Sequence, residues 1–205
     1  MASFFSTLSL GLIAALVGSY LQYRNWRYRA LDELRRREYE EAVSVIREVS
    51  EAIDGRLYAQ RRYTAGVDRK NLDKEDADEY KKAVAKWMSQ FSSLKSRLRT
   101  NFGRSAASKF EHDVHGSLQD AGAVADRTRN LGYENLSLRD KAEHDSLFSM
   151  LNFARLVSYD FLNELSERAA AYDIGTIQYV DNIRKGDVDA ISRTYLLLRL
   201  LGLKA

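Results

Sequence analysis

Apolar residues recur at every third or fourth position through most of the chain, the spacing expected of one buried face of an α-helix. No stretch of six residues alternates strictly between apolar and polar side chains, as a half-buried β-strand would. The pattern therefore predicts an all-α fold. Its most regular part is a seam of seven positions: Tyr80, Val84, Trp87, Phe91, Leu94, Leu98 and Phe102.

The first predicted element is a single long helix that runs from the N-terminal region to about Tyr63. No glycine occurs between Gly18 and Gly55, and helix-forming residues dominate this stretch. A polar connector is expected over 65–73. The helix that carries the seam should begin after the connector and end at Gly103, because glycine commonly terminates helices.

Further helices are predicted downstream. Ser105 can cap the first of them, which is followed by a loop at 128–137. Ser137 and Asp140 then resemble a capping box, with aspartate in place of the usual glutamate or glutamine. The helix that starts there should be long and should close near Gly175. Together these elements predict an antiparallel bundle of about four to five helices.

The C-terminal region should contain a short helix over 177–183 and a final helix from Asp187 to Leu201. The segment from Tyr195 to Leu203 is apolar nearly all round, which exceeds what a helix buried on one side requires. Such a segment is either wedged within the bundle or contacts a partner or the bilayer surface. Both interpretations stay open.

Residues 1–23 contain no charged side chain and predict a transmembrane anchor. As a helix they would extend about 34 Å at about 1.5 Å per residue, more than a hydrocarbon core of about 30 Å. A cleaved signal peptide fits less well, because no positively charged region precedes the apolar run. Aromatic residues flank the run, as they do at headgroup level: Phe4, Phe5, Tyr20, Tyr23, Trp26 and Tyr28.

A basic stretch follows directly. Segment 24–37 contains six arginines against Asp32 and Glu33, a net charge of +4. Positive charge beside a span is retained in the cytoplasm, so we expect a short N-terminus outside and the rest of the chain inside. The arginines can also bind anionic lipid headgroups: Arg24, Arg27, Arg29, Arg35, Arg36 and Arg37.

The predicted organisation thus has three parts. Residues 1–23 form the anchor, residues 24–41 a basic juxtamembrane stalk, and residues 42–205 a cytoplasmic helical bundle. Because the whole chain carries +3 and segment 24–37 carries +4, the remainder carries −1. The sequence pI of about 9.0 is therefore a juxtamembrane effect and does not indicate a nucleic-acid-binding domain.

A stripe of small residues within the anchor offers a surface for a second helix. Gly11 and Ala15, and likewise Ala14 and Gly18, are four positions apart, and small side chains let two helix backbones approach closely. Such residues are frequent in membrane spans in general. The stripe therefore indicates either a dimer contact within the membrane or an ordinary span.

Charge is distributed unevenly along the predicted bundle. Residues 81–109 carry eight basic side chains and no acidic one, whereas residues 110–189 carry a net charge of −7. One interpretation is that neighbouring helices face each other with complementary charge. The other is a basic face for an anionic partner or for the membrane surface, formed by Lys81, Lys82, Lys86, Lys95, Arg97 and Arg99.

Composition restricts the chemistry. The chain has no cysteine, which excludes disulfides, thiolate metal sites and a cysteine nucleophile, and no proline, which argues against a turn-rich β-sandwich. No glycine-rich phosphate loop, dinucleotide fingerprint or nucleophile elbow occurs. We therefore expect no cofactor and no enzymatic activity.

The three histidines are candidate metal ligands. His112 and His115 are three positions apart and flanked by carboxylates, and His144 could add a ligand from the next helix. Helical geometry, however, directs His112 away from the apolar seam and places His115 on its flank. A metal site needs three or four converging ligands, so we predict solvated surface histidines and no metal site.

The run Asp54-Gly-Arg-Leu-Tyr-Ala-Gln-Arg-Arg-Tyr63, which follows an uncharged span, a basic stretch and a long helix, resembles a group of uncharacterised bacterial single-span membrane proteins with a helical cytoplasmic region. The resemblance covers about the first 65 residues and, more loosely, the Tyr80–Leu98 helix. It implies a bacterial inner-membrane location, and that group carries no assigned activity. The residues of the run themselves predict a polar flank opposite a buried Leu57: Arg56, Tyr58, Arg61 and Arg62.

These observations favour a membrane-anchored helical interaction or scaffold module without enzymatic activity. It would bind a protein partner, or form a homo-oligomer, at the inner face of the membrane. The alternative is a membrane-tethered sensor or effector that reads an anionic ligand or lipid through the basic face at 81–109. Nucleic acid is expected as a partner in neither case.

Overall fold

The computed structural model describes residues 2–69 and 72–175, without the side chains of residues 2–10 and 12–14. Every regular element in this part of the chain is helical, which confirms the all-α prediction. The C-terminal helices and the leucine-rich tail predicted beyond Gly175 lie outside it. The elements are α1 (Ala2–Asp68), α2 (Lys74–Lys109), a π-helical segment (Phe110–His115), α3 (Gly116–Leu131), a 3₁₀ turn (Tyr133–Asn135), α4 (Leu138–Asp145) and α5 (Leu147–Ala170).

The chain divides into two compact units, one made of Met1–Glu38 with Tyr179–Ala205 and the other of Tyr39–Gln178. In the first unit, α1 buries one face at three- to four-residue spacing, formed by Arg27, Ala30, Leu31, Leu34 and Glu38. From Leu31 to Ala42 the apolar stripe in the sequence is thin, because the buried position at Glu38 carries a polar side chain.

The predicted transmembrane anchor is not supported by the structure. In the described part of the chain, no helix contains an apolar stretch long enough to cross a membrane. Much of the predicted anchor at 1–23 falls on side chains outside the described part.

Helix α1 confirms the prediction of one long first helix, but it ends at Asp68 and not near Tyr63. Burial of Val67, which is 8% exposed, extends the core face by one more turn and shortens the connector. Helix α2 then begins at a cap, since the Asp73 side chain accepts a hydrogen bond from the backbone N–H of Glu75.

The α conformation is interrupted at Gly103, the residue at which the seam helix was predicted to end. Gly103 adopts φ 85° and ψ 179°, so the chain kinks there, and helical structure resumes and continues to Lys109. Glycine takes this conformation without the steric penalty of a Cβ atom. The predicted third helix also differs, because its first part is the π-helical segment, and the following loop is confined to residues 132–137.

The capping-box start at Ser137 is confirmed, because the Ser137 side chain accepts a hydrogen bond from the backbone N–H of Asp140. The prediction of a single long fourth helix is wrong. The chain breaks at Ser146, whose φ and ψ are −90° and 0°, and α5 begins at Leu147. Ser146 Oγ donates to the Glu143 carbonyl at 2.8 Å, and such local bonds compete with the helical ladder.

Ion pairs show how α1 and α2 pack within the second unit. Arg97 of α2 pairs with Glu48 of α1, and Arg62 of α1 pairs with Glu79 of α2 at 2.8 Å. Residue numbers rise along one helix as they fall along the other, so the two helices are antiparallel, as predicted. The largest fully buried side chains of this unit are Tyr63, Phe102, Phe110, Ile53, Leu98, Leu118, Leu147 and Leu165.

Candidate functional site

A layer of polar side chains occupies the core face of α1. Val49 and Ile53 are buried, and Arg56, Gln60 and Tyr63 follow them at steps of three and four residues. Since these steps continue the buried stripe, the polar residues enter the core. This layer is the main group that the sequence analysis missed, although the helical spacing was a signal that could have found it.

The structure turns the buried face of α1 by one residue from its predicted position, so that it includes Arg56 and only partly includes Leu57. Arg56 is only 8% exposed, although it was expected on the surface. Leu57, expected in the core, is only partly buried. One residue is about 100° of helix rotation, so an error of one position exchanges core and surface. Tyr58 is 65% exposed, as predicted.

Contacts within the layer join α1, α2 and α3. The Arg56 guanidinium lies over the Tyr80 ring, 4.8 Å from its centroid, and its Nη2 donates to the Tyr80 hydroxyl at 3.3 Å. Arg56 Nη1 is buried and makes no hydrogen bond within the described part of the chain. Tyr80 also stacks on Tyr63, with ring centroids 4.2 Å apart, and Gln60 Nε2 donates to the Leu118 carbonyl at 2.9 Å.

The two tyrosines of the layer stay protonated at physiological pH. Burial raises the pKa of Tyr63. The hydrogen bond that its hydroxyl donates to Asp126 at 2.7 Å raises that pKa further. Burial also raises the pKa of Tyr80, against the opposing effect of the Arg56 charge. Neither phenol is therefore poised as a nucleophile or base.

His115 lies beside this layer in an aromatic setting. Its Nδ1 accepts a hydrogen bond from Trp87 Nε1 at 3.0 Å, and its ring lies 4.5 Å from that of Phe91. Burial, and then the positive charge of Arg56, lower the pKa of His115. The predicted solvated histidine is thus wrong at this position: His115 is half-buried and neutral at pH 7, because it packs against the seam of α2.

His144 is also not the surface histidine that was predicted. It is only 8% exposed, with Nδ1 3.1 Å from the Thr128 hydroxyl and its ring packed against Tyr133. His112 is exposed as predicted and lies 2.9 Å from the Ser108 carbonyl. Among the described residues, no three His, Asp or Glu side chains converge in a way that could hold a metal ion.

The basic residues at 81–109 fall into two groups. Lys95 pairs with Glu111 at 2.6 Å, and this contact lowers the pKa of Glu111. Arg97 likewise pairs with Glu48 of α1. Lys81 reaches Asp78 on its own helix at 3.8 Å, and Lys109 reaches Glu164 of α5. The bases that are exposed and have no ion-pair partner in the described part of the chain are Lys82, Lys86, Arg99 and Arg104.

Helix α5 carries an exposed apolar face. Phe148 is 41% exposed, Phe153 60%, Leu156 56% and Tyr159 44%, all within twelve residues. The apolar spacing of the fourth predicted helix places Phe148 in a buried seam with Leu151 and Phe161 and does not include the other three. Their presence outside the seam was the available signal, since an ordinary surface helix is polar on that side.

A groove of about 660 Å³ lies along this face. One wall comes from the π-helical segment and α3 and includes the exposed carboxylates Asp113 and Asp120. The other wall comes from α5 and includes Met150, Phe153 and Val157. The groove therefore combines apolar side chains with acidic ones.

The predicted lipid-binding arginines differ in exposure. Arg27 is only 6% exposed and lies over the Tyr23 ring at 5.7 Å. Arg37 pairs with Glu33 at 2.9 Å. Arg35 is partly exposed, whereas Arg24, Arg29, Arg36 and Arg37 are exposed.

The small-residue stripe of the predicted anchor is only partly described. Gly11 and Ala15 are exposed and Gly18 is partly exposed, and the Ala14 side chain lies outside the described part. A Cβ atom added at Gly11 or Gly18 would meet no described atom within 4 Å.

Comparison with known proteins gives no relative for this chain. No protein-family model matches the sequence, and searches of curated proteins and of solved structures find no significant match. The resemblance to single-span bacterial membrane proteins stays a prediction.

Proposed function

We propose that this protein is a helical interaction module without enzymatic activity, tethered to the inner face of a bacterial membrane. The observation that carries the proposal is the exposed apolar face of α5. Four large apolar side chains on about three turns of one helix are more than an isolated surface helix needs, and such patches are typical of protein contact sites.

Site-specific photo-crosslinking tests this proposal. A photoreactive amino acid replaces Leu156 in the full-length chain, and adducts are collected from the native membrane. Met88 of α2 supplies the matched control, since it is 53% exposed against 56% for Leu156. We expect a discrete protein adduct from position 156 and little from position 88. Equal labelling at the two positions, or no adduct at either, would contradict an interaction face on α5.

The tether is the second part of the proposal. It is supported by the uncharged run at 1–23 and the six arginines that follow it, which also favour an N-terminus outside the cell membrane and a cytoplasmic bundle. The full-length chain should stay in the membrane fraction after an alkaline wash, and Val17→Arg should release it. Val43→Arg, at an exposed position of the second unit, is the control. Release of the unsubstituted chain by the alkaline wash would contradict a membrane anchor at 1–23.

A second candidate function is a sensor or effector that binds an anionic ligand or lipid through α2. It is supported by Lys82, Lys86 and Arg99, which are exposed and have no ion-pair partner among the described residues. Reversing these three charges should abolish binding to anionic vesicles and leave helicity and melting unchanged. Lys95 and Arg97 are unsuitable for that test because each holds an ion pair within the fold. Unchanged vesicle binding would eliminate this candidate.

A further inference from the structure

We propose that the exposed face of α5 packs in parallel against the same helix of a second copy of this chain. The inference deepens the proposed function, on which it rests, by naming the occupant of that face. It is carried by the spacing of exposed residues on α5 and by the charges on the two edges of the face.

The exposed face has the spacing of a coiled-coil seam. Ser149, Asn152, Leu156, Tyr159 and Asn163 follow one another at steps of three, four, three and four residues, and all five are exposed. Such steps are those of the two core positions of a heptad. The inward faces of α5 are already packed in the bundle, and on this outer seam the Tyr159 hydroxyl donates a hydrogen bond to Asp54 of α1 at 3.5 Å. The side chains of the other four seam positions remain exposed.

The edges of the seam complement each other only in a parallel pair. Arg155 lies on one edge and Asp160 on the other, five residues further along, and neither has an ion-pair partner in the described part of the chain. In a parallel, in-register pair, unlike edges of the two helices face each other, so Arg155 of each copy meets Asp160 of the other. In an antiparallel pair like edges would meet, and arginine would face arginine.

The same relation holds for two phenylalanines one heptad earlier. Phe148 and Phe153 are also five residues apart and lie on the corresponding edges. Phe153 lines the groove with Met150 and Val157. The Phe148 ring of the second copy would therefore pack against this apolar wall. That contact would bury both the Phe148 ring and the Phe153 ring away from water.

Polar seam positions limit the strength of this contact. Asn152 and Asn163 add little apolar burial, but asparagine within a seam restricts register and favours a defined number of strands. The pair should therefore be weak in dilute solution. Confinement of two tethered chains to one membrane surface raises their effective concentration, and both copies then point the same way, as a parallel pair requires.

Cysteine scanning tests the inference directly, because the chain contains no cysteine. Asn152→Cys, Leu156→Cys and Asn163→Cys are made singly in the full-length chain, and isolated membranes are exposed to a mild oxidant. Ser92→Cys, exposed on α2, is the matched control. In a parallel pair identical seam residues face each other, so all three should form disulfide dimers about tenfold faster than the control, reflecting a raised local concentration.

Two patterns would overturn the inference. Dimers at only one of the three positions would indicate an antiparallel pair, in which identical residues meet only near the symmetry axis. Rates equal to that of Ser92→Cys would indicate random collision.

Charge exchange supplies an independent test. In the Leu156→Cys background, Arg155→Glu or Asp160→Arg alone should slow dimer formation severalfold, and the two together should restore it. Arg61→Glu, an exposed base on α1, should have no effect. Failure of the double variant to recover would contradict the edge pairing.

The photo-crosslinking at position 156 separates this inference from the proposed function. An adduct of twice the chain mass agrees with both. An adduct with a different protein, together with no disulfide dimers, keeps the interaction module and overturns self-pairing. No adduct and no dimers overturn both.

Discussion

Arg56 places a guanidinium group in the core, where Tyr80 supplies both a ring face and a hydroxyl oxygen. A buried polar group that loses its partner costs about 1–3 kcal/mol, whereas removal of both partners can be nearly neutral. Each group of this pair is therefore expected to be costly to remove alone.

A double-mutant cycle tests this pairing. Arg56→Met should lower the free energy of unfolding by about 1–2 kcal/mol, because the buried Tyr80 hydroxyl loses its partner. Tyr80→Phe alone should also destabilise. The double variant should be more stable than the sum of the two single effects predicts, as measured by chemical denaturation. Strict additivity would show that the two groups do not interact.

His115 should make stability depend on pH. Its pKa is lowered in the folded protein, by burial and then by Arg56, so the unfolded chain binds the proton more readily. The stabilising contribution is complete above the ordinary pKa of 6.5 and is lost as the pH falls from there towards the lowered pKa. His115→Gln should therefore flatten the fall in melting temperature between about pH 7 and about pH 5.

The control for this prediction is His112→Gln, since His112 is exposed. It should leave the pH dependence unchanged. If both variants melt with the same pH profile as the original chain, the acid sensitivity arises elsewhere.

At the scale of elements, a glycine of α3 sets how closely that helix approaches α2. A Cβ atom at Gly122 would lie 2.6 Å from the Tyr80 hydroxyl oxygen, and Tyr80 cannot easily move because it stacks on Tyr63. Gly122→Ala should therefore destabilise the fold by about 1–3 kcal/mol through overpacking, measured by thermal and chemical unfolding.

Gly116 is the matched control at the start of the same helix. A Cβ atom there would meet nothing closer than 3.9 Å, so Gly116→Ala should be neutral or should stabilise by about 0.5–1 kcal/mol through helix propensity. Similar losses at both positions would show that the close contact with Tyr80 does not matter.

The boundaries of elements were predicted where local chemistry decides them. Ser137 caps its helix as expected, because a side-chain oxygen satisfies a nearby backbone N–H. The interruption at Gly103 was predicted from the glycine itself, whereas the break at Ser146 was not predicted. Apolar spacing continues across Ser146, so periodicity alone does not reveal that the backbone departs from the α conformation there.

At the scale of the whole molecule, ion pairs report which helices are neighbours. Arg97 forms a hydrogen-bonded pair with Glu48, which lowers the pKa of that carboxyl group. Arg97→Glu should lower the free energy of unfolding by about 0.5–1 kcal/mol, the range of partly exposed pairs. Adding Glu48→Arg should recover most of the loss in low salt and less of it in high salt. Lys82→Glu, which breaks no pair, should have little effect.

The charge pattern of the bundle agrees in part with each of the two interpretations of the basic segment at 81–109, complementary charge between helices and an exposed basic face. Part of the basic segment is used within the fold, as Lys95 with Glu111 and Lys109 with Glu164 illustrate. The remaining bases of α2, and the apolar face of α5 with its edge charges, point outward. These surfaces are where the proposed partners would bind.

The sequence by itself determined the helical class, the long first helix, the cap at Ser137 and the exposure of His112, because each depends on spacing or on chemistry within a few residues. Only the tertiary structure decided that Arg56 and His144 are buried, that His115 is half-buried and that Phe153 and Leu156 are exposed. Side-chain type gives only an average preference for the interior, whereas burial depends on which helix packs against which face. That choice is made by contacts between residues far apart in the chain, such as Gln60 with Leu118, which local pattern does not encode.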